Sequence, residues 1–480
     1  MLKRAIAVIL LLSMLFCTLA CGKKDSEEGE DGVTTAATDT EEEDYLSTLR
    51  KMDDGGKEFR VLVTEQLERF YDQQNASSVV VDNAAYQRNQ TVNDLFNTKL
   101  VYTSLDGNAS GANAFSTEIA TTTMSGEGCY DLIVGQNYYT LPLVTESMYH
   151  NLMDSDTFNW SAEWYHSDIN DGGTINGNLW GASGSFVVSQ LAYAMACFYS
   201  KTVYEQNGFK YDLYDLVRRG AWTYDVFLEL CTAFDNTDMS ESESTYGVVR
   251  HDHGVNGMFI GMGVEFVTKD SKGEWTFKEF YNSAFESVYE KIRALYNDYP
   301  SAMLNSSKTS ISRGAIMSKT LFVQTLVDAI LTDEILMASS AFTIGVLPMP
   351  KLNEDQEEYR TRVMRDELFL IPITADLERS ALVTEVLNYV TWDIVNEAYW
   401  ETALELRSSD TSDDMEMLGI IAETVYKDTA QYFNEDLLRV TSQVGLQVMD
   451  NEASFATWWA KNKKALNRQL ASLNTIYGKK

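Results

Sequence analysis

The chain has 480 residues, and its 71 Asp and Glu against 38 Lys and Arg give a formal net charge of −33. A field of that sign repels nucleic acid and anionic lipid head groups, so neither is an expected partner, and any membrane contact is expected through a lipid anchor only. A hydrophobic content of 45% is ordinary for a globular protein and supplies a large core.

At the start of the chain, Lys3 and Arg4 precede an apolar run, Ala5 to Phe16, closed by Thr18-Leu19-Ala20-Cys21. The run is too short to span a bilayer as a stable helix and is flanked like an export signal. With a cysteine at the cleavage point it resembles a bacterial lipoprotein signal. That resemblance implies removal of residues 1–20, lipidation of Cys21 (palmitate included), and anchoring at the extracellular face of the cell membrane. Residues 21–56 are rich in Asp, Glu, Thr, Ser and Gly and include Glu41-Glu42-Glu43-Asp44. Such a segment buries too little apolar surface to offset its chain entropy and is expected to be a disordered acidic linker. Beyond it lie roughly 425 residues, room for two or three domains.

Phe59 to Thr64, Lys99 to Thr103 and Tyr130 to Gly135 read as strands, with helices expected over Tyr86 to Asn97 and Ala112 to Met124 between them. That alternation predicts a parallel sheet, whose ligands sit beyond the carboxyl ends of its strands. Glu65, Gln66, Gln136, Asn137 and Tyr138 fall at that rim. Farther on, Ala192 to Tyr199 predicts a strand, Val203 to Asn207 and Trp222 to Phe234 helices, and Gly247 to Arg250 a strand followed by a loop, His251-Asp252-His253. Thr343 to Pro350 reads as a strand stopped by two prolines. In Phe369 to Ile373, Pro372 argues against a central strand. Helices are expected over Asp376 to Thr391, Asp413 to Tyr426 and Ser454 to Tyr477. Beyond Cys17 and Cys21 only Cys129, Cys197 and Cys231 remain, too few and too widely spaced for a disulfide framework. All three are expected to be buried, with at most one bridge.

Four segments carry a wider resemblance. Phe198-Tyr199-Ser200-Lys201, Arg219-Gly220-Ala221-Trp222-Thr223-Tyr224, Gly345 to Lys351, and Arg407 with Asp410 and Ser412-Asp413-Asp414-Met415 follow one another along the chain. They resemble elements of the family 1 extracellular solute-binding proteins, the maltose-binding-protein-like substrate receptors of bacterial ABC importers. The resemblance runs from about Lys57 to Tyr477. It implies an α/β fold of two lobes, each a mostly parallel mixed sheet flanked by helices and each discontinuous in chain. Lobe one would take residues 57–187 and 314–394, and lobe two 188–313 and 395–480.

Chemistry in the sequence points to binding. Zinc normally takes three or four ligands, and His251-x-His253 has no fixed third; no metal or cofactor is expected. Neither a nucleophile elbow nor a phosphate-cradling loop occurs, so no catalytic residues are assigned. The chain carries 26 Tyr and 9 Trp, side chains that can stack on an apolar face while hydrogen-bonding at an edge, as sugar rings require. Trp222, Trp392 and Trp400 read as packing. Trp180 precedes a Gly/Ser-rich stretch at a lobe crossing, so it is expected in the cleft with Tyr138 and Tyr139. Glu65, Gln136, His251 and Asp252 are expected to supply polar contacts. The resulting expectation is a monomeric, non-enzymatic receptor that hands a carbohydrate, an oligosaccharide by preference, to ABC importer membrane subunits. A receptor for a peptide or other non-sugar solute, and a surface glycoside hydrolase, stand as the alternatives.

Overall fold

The computed structural model describes residues 45–107, 112–236, 244–250, 252–278, 280–297, 299, 303–305, 319–327, 343–364, 367–399, 412–434, 436–450 and 454–477. Two compact units divide after Leu49. The described part of the first is one helical turn, Tyr45–Thr48. The second, from Arg50 onward, holds both large sheets.

The first sheet is built from β1 (Glu58–Thr64), β2 (Lys99–Leu105) and β3 (Leu132–Gln136). Helices α1 (Val80–Phe96) and α2 (Ala112–Ser125) join them, close to the expected spans. β1 pairs in parallel with both β2 and β3. Every residue of β3 is buried, and Phe59, Val61, Leu62 and Val63 of β1 are fully so, the pattern of strands covered on both faces. α1 stops where Asn97 takes a left-handed conformation and returns its N–H to the Asn93 carbonyl.

The second sheet takes β4 (Met195–Ser200), β5 (Tyr246–Arg250), β6 (Met303–Asn305), β7 (Thr320–Leu326) and β8 (Ile344–Leu347), in the order β8-β4-β7-β5-β6. The β8–β4 and β4–β7 pairs are antiparallel, and β7–β5 and β5–β6 are parallel. The chain then rejoins the first sheet as β9 (Glu367–Leu370), antiparallel to β3. β9 lies at the edge of that sheet and ends two residues before Pro372, where the missing N–H costs no ladder bond.

Several boundaries differ from expectation. β7 and β8, allotted to lobe one, pair in the second sheet, each antiparallel to β4 and flanking it on either side. Asp53 and Asp54, allotted to the linker, are held by the body. Asp53 accepts from the Asn97 side chain at 2.7 Å, and Asp54 is buried in an ion pair with Arg379. Arg379 also pairs with Asp131 at 2.6 Å, so one guanidinium fastens the incoming chain to the edge of the first sheet. Helix α3 (Tyr224–Phe234) falls within its expected span, while Asp252, expected in a loop, opens helix α4 (Asp252–Gly261).

Helices α5 (Ser283–Asn297), α6 (Leu377–Val390), α7 (Ser412–Glu423), α8 (Val440–Met449) and α9 (Phe455–Tyr477) follow along the chain. Trp222 is a core residue, as expected: it is fully buried and its Nε1 donates to the Pro348 carbonyl at 2.9 Å. Trp392 packs on Trp164 and Tyr389, and Trp400 lies outside the described residues. Cys197 and Cys231 are buried free thiols; Cys129 is also free but only half-buried, since it sits at the mouth of the turn before β3. Among the described residues no helix is long and apolar enough to cross a membrane.

Candidate ligand-binding site

Parallel strands aim their carboxyl ends at one edge of a sheet, and the loops that follow build any site there. On the first sheet that edge is formed by Thr64, Leu105 and Gln136, with Glu367 entering beside them because β9 runs the other way. The register pairs Gln136 with Glu367, and Glu65 follows directly on Thr64, the last residue of β1. Glu65 is exposed at the start of a 3₁₀ turn, Glu65–Phe70. Its neighbour Gln66 clips two strand ends together, donating to Asp106 and accepting from the Gly107 N–H, both at 2.9 Å. Gly107 has to be small: a Cβ there would lie 2.5 Å from the Thr64 methyl.

After β3 the chain turns through a single helical turn, Asn137–Thr140. Tyr138 is half-buried and meets the Tyr139 ring edge-on at 4.7 Å. Tyr139 is buried, packs on Phe115, and donates its hydroxyl to the Gly107 carbonyl at 3.1 Å. Burial raises the Tyr139 pKa, so the hydroxyl stays a donor. Tyr139 thus supports the rim, with half-buried Tyr138 packed against it. Gln136 is buried, and among the described residues its Oε1 has no hydrogen-bond partner.

Trp180 approaches from another direction. It is half-buried, and its ring stands edge-on to Tyr477 of α9 at 5.7 Å. The Tyr477 hydroxyl donates to the carbonyl of Leu141, the residue directly after the Tyr138–Tyr139 turn, at 2.7 Å. One buried tyrosine from the end of the chain therefore holds both aromatic elements. Asn137 adds a second tie, donating to the Gln431 and Tyr432 carbonyls at 3.0 and 2.7 Å, while the Tyr432 hydroxyl bonds the Gly181 carbonyl. The Asp428 carboxylate caps the helical turn Thr429–Tyr432 and accepts from the N–H groups of Phe266, Val267 and Ala430; burial outweighs these bonds and pushes its pKa up to about 7.

The sequence does not single out Glu367, yet it occupies the junction between the sheets. Its carboxyl accepts from the Thr64 hydroxyl and, at 3.1 Å, from that of Tyr71. Its backbone N–H donates to Ser189 Oγ at 3.2 Å, and its carbonyl accepts from Gln190 Nε2 at 3.3 Å. Ser189 and Gln190 belong to the outgoing crossing between the sheets, and Glu367 ends the returning one. The bridge Ala194–Val363 and the bond from Met364 N–H to the Tyr193 carbonyl complete the seam. Burial pushes the Glu367 pKa up to about 7 against the opposing effect of the two hydroxyl donors.

The remaining expected contacts fall elsewhere. His251 lies outside the described residues, and Asp252 stands at the first position of α4, beyond the end of β5. Cys21 is also outside them. His150 bonds the Ala375 carbonyl at 3.0 Å, and burial pushes His166 down to about 4. Among the described residues no group of three His, Cys, Asp or Glu side chains could hold a metal ion.

No protein-family model matches the chain, and no curated protein matches it. Solved structures do. The sugar-binding protein MalE from Xanthomonas citri superposes with a TM-score of 0.58 at 11% identity, over 88% of this chain and 100% of that one. A cyclic α-maltosyl-1,6-maltose binding protein from Arthrobacter globiformis gives 0.58 at 13%, over 87% and 99%. The galacto-N-biose-/lacto-N-biose I-binding protein of an ABC transporter from Bifidobacterium longum gives 0.53 at 10%, over 88% and 98%. At such identities the likeness is one of fold. The chain has the two-lobed α/β fold of the sugar-binding ABC substrate-binding proteins, the fold that its four sequence motifs resemble.

Proposed function

We propose that the protein is a non-enzymatic solute receptor, lipid-anchored through Cys21 at the extracellular face of the membrane. It captures a carbohydrate, an oligosaccharide by preference, between two lobes and delivers it to the membrane subunits of an ABC importer. The observation that carries this reading is the fold likeness, which spans 87–88% of this chain and nearly all of each sugar-binding neighbour. The rim chemistry supports it. Half-buried Tyr138 and Trp180 offer ring faces, and exposed Glu65 and buried Gln136 offer carboxylate and amide oxygens to hydroxyl donors. We assign Tyr138, Trp180, Glu65 and Gln136 to the ligand, Tyr139 to support, and His251 and Asp252 to the facing lobe. Lobe one is the part that carries β1–β3 and β9.

The test is incubation of the purified protein with a panel of oligosaccharides, following melting temperature and released reducing ends together. A raised melting temperature with no reducing ends is the expected result. Release of reducing ends would make the protein a hydrolase, and stabilisation by peptides alone would move it to a non-sugar receptor.

A further inference from the structure

The last 28 residues of this strongly acidic chain contain no Asp or Glu, but six basic residues: Lys461, Lys463, Lys464, Arg468, Lys479 and Lys480. Four of them lie on α9. That helix buries Phe455, Trp459, Leu466, Leu470, Leu473 and Tyr477, all within one narrow sector at 100° per residue. Lys461, Lys464 and Arg468 share the opposite sector, and all three are exposed; Lys463 is exposed on the flank, 6.0 Å over the Trp459 ring. Among the described residues none of the four is ion-paired with a carboxylate.

A cationic stripe without internal carboxylates departs from the usual solvated face, where signs alternate. Its surroundings say what it fits. Thr457, Ala460, Ala471, Ser472 and Thr475 are small and exposed around the cations, so the stripe is smooth. None of the large exposed hydrophobic residues lies on α9, so the face lacks the aromatic or aliphatic anchor on which protein interfaces depend. Half-buried Trp458 and Ile476 lie to one side of the cations rather than among them. What remains is a flat row of positive charge, the complement of a flat anionic surface.

We propose that the exposed face of α9 docks the protein on the anionic phospholipid head groups of the membrane that carries it. The net charge of the body opposes such contact everywhere else, so the stripe fixes which side faces the membrane. At physiological ionic strength fields decay over about 8 Å, and a local row of cations can therefore act in spite of the distant acidic surface. The anchored reading above supplies only proximity; the charge pattern of α9 stands without it.

The test uses the chain from residue 21 onward with Cys21→Ala, which keeps the whole body and removes acylation. Flotation with vesicles of phosphatidylcholine containing phosphatidylglycerol is compared with flotation on phosphatidylcholine alone. Binding to the anionic vesicles should exceed that to neutral ones about tenfold at low salt and vanish at high salt. The triple variant Lys461→Glu, Lys464→Glu, Arg468→Glu should lose it, and the neutral triple Gln variant should fall between, each with an unchanged melting temperature. Equal flotation on both vesicle types, or charge-reversed protein that still floats, overturns the proposal. Failure of the unmutated stripe to bind would leave it to an acidic protein surface. Oligosaccharide titration of the same preparation separates this outcome from failure of the receptor reading.

Discussion

Replacing Glu367 with Gln should flatten part of the dependence of stability on pH. The carboxyl is 1% exposed and its pKa is about 7 in the folded protein, against 4.5 for an unperturbed Glu. An acid whose folded pKa is raised binds its proton more tightly in the folded state. Its contribution is therefore greatest below about pH 4.5, falls as pH rises, and is gone above about pH 7. Between pH 5 and pH 8 that change amounts to about 2–3 kcal/mol. Gln mimics the protonated side chain, accepting from Thr64 through its oxygen and facing the Tyr71 hydroxyl with its amide, so this contribution should disappear. Asp428 titrates in the same range, but it does so in both proteins and cancels from the difference. Urea unfolding of both proteins at pH 5, 6, 7 and 8 reads the effect, with the variant gaining relative stability as pH rises. Parallel profiles would refute the claim that Glu367 is buried without a compensating cation.

Arg379→Met should cost about 3–5 kcal/mol at pH 7 in denaturant unfolding, because it leaves Asp54 and Asp131 buried without their counter-charge; a loss below about 1 kcal/mol would make the network a surface one. Cys21→Ala should move the protein from the membrane to the soluble fraction or medium, and unchanged membrane retention would count against lipidation. Trp180→Ala should cost about 1–3 kcal/mol of sugar binding by calorimetric titration. If melting temperature falls while affinity holds, the ring serves only to pack on Tyr477.

Much of the framework was legible because local signals agreed with the fold. The β1, β2 and β3 segments are short apolar runs that end in polar or glycine residues, and the helices between them keep their period. Other features were set by distant chain. β7 and β8 read as apolar strands, but which sheet they enter depends on pairing with β4, far away in sequence. Glu367 follows Arg365 and Asp366 and so looks like part of a solvated charged loop; only the fold brings Thr64 and Tyr71 to it. Trp180 and the Tyr138 turn could be guessed from their positions at a crossing and a strand end. Their common support, Tyr477, could not, since a tyrosine near the end of an amphipathic helix carries no sign of a partner some three hundred residues earlier.

Small-angle scattering reads the closure around a ligand that the proposed receptor role requires. The chain crosses between the two sheets at Ser189–Gln190 and again at Glu367, and in the proposed receptor the lobes rotate about these few backbone positions. With a saturating oligosaccharide that raises the melting temperature, the radius of gyration should fall below that of the free protein, and a non-binding sugar should leave it unchanged. Saturation by a stabilising sugar with no change in radius of gyration would contradict closure between lobes.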